Sequence, residues 1–201
     1  MKLKVPFYEQ TTEQNCGPVA LKMVLEFLGE RFSVEELEKA ANTKEKEAVF
    51  TIQLAIAAKR PGFNVDFYSK NLKLNEENLN LEFYKKNTSL VSKDINKFLR
   101  EAEKLGVKLH ERAVNREEIT SFISKDSVPI IILDWSIITE KPEKGFVGHF
   151  VPIVGYNKDS FYVHNHGFIN PKPFLQIKKE TFEKARKSLG TDEDILVIQK
   201  I

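Results

Sequence analysis

Cys16 is the only cysteine among 201 residues, and it stands in the run Gln10-Thr11-Thr12-Glu13-Gln14-Asn15-Cys16-Gly17-Pro18. An apolar helical pattern follows at once through Val19, Ala20, Met23, Val24, Phe27 and Leu28. A thiol in the first turn of a helix faces unpaired backbone N–H groups and the positive end of the helix dipole. Both favour the nucleophilic thiolate. A lone cysteine is more often a small buried hydrophobe, so the groups able to assist it matter. Gln10 lies six residues upstream. Its amide and the Cys16 backbone N–H could form an oxyanion hole, or Gln10 could be a surface amide on a loop. Gly17 allows close approach of a substrate to the backbone, and Pro18 suits an early helical position.

A base for the thiol appears far downstream. The run from Gly148 to Tyr156, then Asn157-Lys158-Asp159-Ser160, then Phe161 to Gly167 reads as a strand, a tight turn and a second strand. His149 opens the first strand, and Asn165 closes the second 16 residues later. A hairpin can return Asn165 beside His149. An Asn oxygen can fix the tautomer and orientation of a histidine base. Each histidine alone is as well explained as a polar side chain near a strand end.

Taken together, Gln10-x5-Cys16-Gly17-Pro18, then His149 before an apolar strand ending Val154-Gly155-Tyr156, then Asn165, resemble the papain-like cysteine peptidase superfamily. Within it, Val5-Pro6-Phe7-Tyr8-Glu9-Gln10 and Cys16-Gly17-Pro18-Val19-Ala20-Leu21 are similar to the bacteriocin-processing, double-glycine-leader peptidases and their stand-alone relatives. The resemblance covers the first 30 residues and residues 128–168, and is looser between them. It implies Cys16 as nucleophile, Gln10 as oxyanion donor, His149 as base and Asn165 as orienter. The bacteriocin-processing branch usually carries Asp followed by Pro at the last position. This chain has Asn165-His166 there, and Asn is the residue type of papain itself.

Composition bounds the remaining possibilities. Hydrophobic residues make up 41% and charged residues 30%, as in a globular domain with its own core. The expectation is one domain of 201 residues, with a helical lobe over about 1–127 and a sheet lobe over about 128–201. Net charge is +2, from 31 basic and 29 acidic residues, which is too balanced to imply nucleic acid as a partner. The densest basic cluster, Lys178, Lys179, Lys184, Arg186 and Lys187, reads as a solvated helical face. No apolar run approaches a membrane span, and residues 1–6 lack the core of a signal peptide. With one cysteine, a reducing cytoplasmic location is the expectation. One cysteine and four scattered histidines predict no structural metal site, although His164 and His166 are close enough for incidental binding. No organic cofactor is expected.

Caps and periods place the elements. Helices are expected from Cys16 to Leu28, stopped by Gly29; from the capping box Ser33-Val34-Glu35-Glu36 toward Ala41; and over Ile52 to Lys59, capped by Thr51 and ended by Pro61-Gly62. Phe63 to Tyr68 reads as a strand. Ser92 caps a helix through Ile95, Phe98, Leu99, Ala102 and Leu105, closed by Gly106, and Val107 to Leu109 reads as a strand. Asn115-x-x-Glu118 caps a short helix. Strands follow over Ile130–Asp134, His149–Tyr156, Phe161–His164, Phe174–Ile177 and Ile195–Ile198, with a helix over Phe182–Leu189. Pro152 suggests that the His149 strand is an edge or carries a bulge. Helices early and antiparallel strands late predict an α+β fold, as the resemblance also implies. Residues 71–89, with five asparagines and no glycine, read as a surface connection more readily than as a flap. Trp135 is either a wall of the acyl site or a core aromatic.

The expected function is a cysteine peptidase-like thiol hydrolase cleaving an amide bond in a peptide or protein. The same residues would serve an acyltransferase, and a non-catalytic peptide-binding module could keep the same fold. Oligomeric state is not legible.

Overall fold

Helix α1 begins at Cys16 and runs to Phe27, as its apolar pattern predicts, with Gly29 beyond it in the left-handed region. The computed structural model describes residues 1–44, 46–73, 75–87, 90, 94–141, 145–168 and 170–201. The Ser33 capping box is formed and opens α2, Val34–Ala40. Helix α3, Thr51–Lys59, is buried on nearly every side. Thr51 lies inside the helix rather than capping it. The Gln53 side chain instead accepts from the Phe50 N–H, and the Thr51 hydroxyl is directed at Asp194.

Strand β1, Asn64–Ser69, comes next, then a 3-10 turn over Glu76–Asn80 and helix α4, Glu82–Lys86. Helix α5, Ile95–Leu105, ends at Gly106 as expected; the expected cap Ser92 falls outside the described residues, and the Asp94 side chain accepts from the Lys97 N–H. Strand β2, Lys108–Glu111, leads to α6, Arg116–Ser121, whose Asn115–Glu118 capping box is formed. Then come β3, Ser127–Asp134; α7, Trp135–Ile138; β4, Gly148–Tyr156; β5, Ser160–Asn165; β6, Lys172–Lys178; α8, Lys179–Arg186; and β7, Ile195–Gln199.

The fold is α+β. A seven-stranded sheet runs in the order β2-β1-β7-β3-β4-β5-β6, antiparallel except for the β1–β2 pair. Strands β1 and β2 come from the helix-rich first part of the chain, so that part extends the sheet as well as packing on it. Strand β4 is interior, flanked by β3 and β5. It is not an edge, but its pairing with β5 is irregular between Ile153 and Gly155, next to Pro152. Among the described residues, no helix is long and apolar enough to cross a membrane.

The C-terminal helix departs from expectation. It starts one turn earlier, straight after β6, and Arg186 on it is buried rather than solvated. Its guanidinium donates to Glu183 at 2.7 and 2.9 Å and to Glu193 at 2.7 Å. A fully buried cation needs this pairing to offset its lost hydration.

The irregular stretch of β4 receives the N-terminus. The Leu3 N–H donates to the Val154 carbonyl at 2.7 Å, and the Tyr156 N–H to the Met1 carbonyl at 3.0 Å. Gly155 permits this close approach, because a Cβ there would collide with the Met1 carbonyl oxygen and come within 2.9 Å of Lys2 Cα. Overpacking against backbone typically costs about 1–3 kcal/mol. Gly155→Ala should therefore lose stability on that scale in urea unfolding; an unchanged midpoint would show that the N-terminal pairing adds nothing.

Candidate active site

The N-terminal segment, once paired to β4, continues across the ends of β4 and β5. His164 Nε2 donates to the Val5 carbonyl at 3.0 Å, and the Gln10 N–H donates to the His166 carbonyl at 2.9 Å. The chain then turns through Thr11 to Asn15 into α1. Asn15 braces this turn: its Oδ1 accepts from the Thr12 N–H at 3.2 Å, and its Nδ2 donates to the Thr11 hydroxyl at 2.9 Å. Gln10 and Cys16 thereby arrive beside His149, at the start of β4, and Asn165, at the end of β5. All four line one cavity of about 510 Å³.

The Cys16 sulfur sits against the backbone N–H groups of Phe150, Gly17 and Cys16 itself. These donors favour the thiolate, but burial outweighs them and pushes the thiol above its ordinary pKa. A helix N-terminus alone would lower it. Its donors are present, but the half-buried sulfur packs against the core and desolvation prevails.

His149 is buried at 7% exposure, and burial pushes its pKa well below the usual imidazole value. His166 pushes it further the same way, while a hydrogen bond with the Asn165 side chain draws it back up. Nε2 of His149 meets no partner of full hydrogen-bond geometry. Asn165 is itself oriented: its Nδ2 donates to the Asn170 carbonyl at 2.8 Å, and its Oδ1 accepts from the Gly167 N–H at 3.3 Å. Trp135 is a buried aromatic in the cavity wall, and its ring stands edge-on to His149 at 4.7 Å.

Gln10 is in the cavity wall and buried. Its Nε2 donates to the Thr12 carbonyl at 3.0 Å, and its Oε1 has no partner. Gly17 has a packing role: a Cβ there would lie 2.8 Å from Val49 Cγ2 and 3.0 Å from Leu54 Cδ1. The glycine lets α1 settle on α3 rather than opening the backbone to a substrate.

His164 and His166 were placed by sequence only as an incidental metal pair. Among the described residues, no group of three or more His, Cys, Asp or Glu could hold a metal ion. His164 turns toward the N-terminal segment. His166 contributes what sequence reasoning missed: its Nε2 lies 2.8 Å from the Cys16 carbonyl oxygen. Its ring stands 4.9 Å from the His149 ring. Burial pushes its pKa down to about 4, so at neutral pH it holds one ring proton. Nδ1 also faces a carbonyl oxygen, that of His164 at 3.2 Å, and the shorter contact to Cys16 favours the proton on Nε2. The only signal in the sequence was adjacency to Asn165.

Residues 71–87 form part of the cavity wall through Asn71, Leu72, Phe83, Tyr84 and Asn87, rather than only a surface connection. The loop before β7 closes another side through Gly190, Thr191, Asp192 and Asp194.

A family model described as guanylylate cyclase matches residues 5–198. Guanylyl cyclase 1 of Arabidopsis thaliana is 25% identical over 98% of this chain and 76% of its own length. Among solved structures, the chain is similar to a C39-like peptidase from Bacillus anthracis, at TM-score 0.58 and 15% identity over 100% of this chain and 98% of that one. It is also similar to a double glycine motif protease from an AMS/PCAT transporter, solved in complex with the leader peptide, at TM-score 0.55 and 15% identity over 100% and 94%. The peptidase domain of Streptococcus ComA matches at TM-score 0.54 and 12% identity over 98% and 99%. The fold is therefore shared with these peptidase domains.

Two measurements test this site. Because burial raises the Cys16 pKa, the thiolate should appear only at high pH. Iodoacetamide alkylation of the free protein should rise above the ordinary thiol value of about 8.5; a midpoint well below it would mean a preformed ion pair. His166→Ala should remove the second donor of the Cys16 carbonyl, which also accepts within α1, and cost about 1 kcal/mol in urea unfolding, whereas an unchanged midpoint would dismiss the tether.

Proposed function

This chain belongs to the guanylylate cyclase family, and we propose that its site performs amide hydrolysis through Cys16, with a peptide as substrate. The observation that carries this reading is that Gln10, Cys16, His149 and Asn165 line a single cavity within a peptidase-like fold.

The electrostatics favour a particular sequence of steps. Burial raises the thiol pKa and lowers that of the imidazole, so both groups rest neutral. His149 then acts as base during the attack rather than before it. The sulfur–carbon bond forms as the thiol proton passes to His149. Negative charge on the former carbonyl oxygen is met by the Cys16 backbone N–H and by an amide hydrogen of Gln10. The imidazolium gives its proton to the departing amine as the carbon–nitrogen bond breaks, leaving an acyl-enzyme. Water attacks that carbonyl, losing a proton to His149, and the acid leaves as the proton returns to sulfur. Asn165 holds the ring through the cycle, and Trp135 limits access of bulk water to it.

Acyl transfer to an amine would use the same residues, and a peptide-binding module would use the cavity without the covalent step. The double glycine motif protease, solved with its leader peptide, supports a peptide in this position. The family's description and the Arabidopsis relative support a second reading, cyclisation of GTP. A triphosphate needs concentrated positive charge around it. Among the described residues, the charged groups lining the cavity are Glu13, Asp192 and Asp194 against Lys73 and Lys86. That balance suits a peptide better than a polyphosphate.

The deciding assay offers the protein a peptide pool and, separately, GTP. Free acid should form from peptides in water, with Cys16→Ala abolishing it and Gln10→Ala reducing the rate on the order of 10²–10³-fold. Product only in the presence of an added amine would mean acyl transfer. Cyclic GMP formed equally well by Cys16→Ala would replace the hydrolase reading with the nucleotide one.

A further inference from the structure

Apolar side chains left in solvent are usually scattered singly and need no explanation. Two of them here line one cavity. Among the described residues, the exposed large apolar side chains include Val147 and Phe168, and both belong to the lining of the cavity that holds Cys16. Phe168 is the more open, at 56% exposure against 36% for Val147. They come from the two segments that border the base in sequence. Val147 stands just ahead of β4 and His149, and Phe168 lies just past the end of β5 and Asn165. In the lining that these two segments supply, His149 is the one titratable side chain.

The segment carrying Phe168 passes against the base itself. A Cβ on Gly167 would lie 3.5 Å from His149 Cε1, 3.6 Å from His149 Nε2 and 3.5 Å from Asn165 Oδ1. Those are ordinary van der Waals distances, so the Gly167 backbone rests on the edge of the ring. With no side chain at Gly167, that residue puts nothing between Phe168 and His149. The turn is held from both sides of Phe168 by one side chain. Asn165 Oδ1 accepts from the Gly167 N–H at 3.3 Å, and Asn165 Nδ2 donates to the Asn170 carbonyl at 2.8 Å. The residue that orients the base therefore also fixes where Phe168 stands.

The direction of proton transfer decides which part of a substrate meets this turn. In the hydrolysis proposed above, the departing amine takes its proton from His149, so its nitrogen must come within hydrogen-bond reach of the ring. The residue attached to that nitrogen is then the part of the substrate beside Gly167 and Phe168. We propose that Phe168 determines specificity on the leaving-group side of the scissile bond, by packing against an apolar side chain on the residue whose amine departs. The substrate class is a peptide with an aliphatic or aromatic residue directly after the cleaved bond. This rests on the hydrolase reading and deepens it. Packing such a side chain on the Phe168 ring removes apolar surface of both from water, whereas a glycine at that place brings none to remove.

The test uses the full chain in two arms. In the first, leucinamide and glycinamide stand for the departing residue, and the fluorescence of Trp135, the only tryptophan and itself in the cavity wall, reports their binding. Leucinamide should bind about tenfold more tightly than glycinamide. Phe168→Ala should remove most of that difference and leave glycinamide binding unchanged; the residue is exposed, so the variant should keep its fold by circular dichroism. In the second arm a peptide pool is digested and the new N-termini are read by mass spectrometry. Leucine, isoleucine, methionine and phenylalanine should be enriched there with the wild type and not with Phe168→Ala. No binding of leucinamide, equal affinities for the two amides, a preference unchanged in Phe168→Ala, or new N-termini without apolar enrichment would each overturn the proposal. A Phe168-dependent preference for leucinamide without cleavage of any peptide would sink the hydrolase reading and leave the apolar seat standing.

Discussion

His166 Nε2 donates to the Cys16 carbonyl oxygen, joining the start of α1 to the residue after β5 across 150 positions of sequence. The site depends on this seam. The backbone on either side of it is bonded too, from Gln10 to His166 and from His164 to Val5. Neither Cys16 nor Gln10 lies on a sheet strand, so the sheet ladder does not fix them. They are fixed by bonds that tie the N-terminal segment and α1 to the end of β5: the Gln10 N–H to the His166 carbonyl, and the His164 and His166 rings to the Val5 and Cys16 carbonyls. The same seam carries the N-terminal segment over the irregular part of β4, where a glycine lets two backbones approach.

Bringing these groups together removes them from water, and that sets their charge. Burial raises the thiol, lowers both His149 and His166, and raises Asp194 to about 7. Each shift favours the neutral form. A cluster that would be an ion pair in a wet cleft is therefore neutral at rest here.

The cavity is assembled from parts far apart in the chain. Its reactive end comes from α1, β4 and β5, and its other walls from residues 71–87 and the loop before β7. The sheet order explains the meeting. Strand β7 lies between β1 and β3, so the loop entering β7 reaches the end of β1, where residues 71–73 begin. The fold is shared with bacterial peptidases at 12–15% identity, whereas the family description names a different chemistry. A fold hosts many chemistries, and the side chains lining the cavity are what distinguish them.

Local chemistry was readable in the sequence itself. The start of α1 at Cys16, the capping boxes at Ser33 and Asn115, the stop at Gly106 and the hairpin carrying His149 and Asn165 all follow from interactions within a few residues. So did the convergence of Gln10, Cys16, His149 and Asn165 on one cavity, through the resemblance of their order and spacing. What depends on contacts across the chain was not readable. Burial reversed the expected shift of the thiol, because desolvation is set by neighbours distant in sequence, Phe150 of β4 among them. Arg186 looked like part of a solvated face until Glu193 folded back onto it. Thr51 looked like a cap until Asp194 arrived from 143 residues away. Gly17 looked like an opening to substrate until Val49 and Leu54 packed over it. Sequence fixes what each residue can do within its own turn of chain; the tertiary structure alone decides which partners and how much water each one meets.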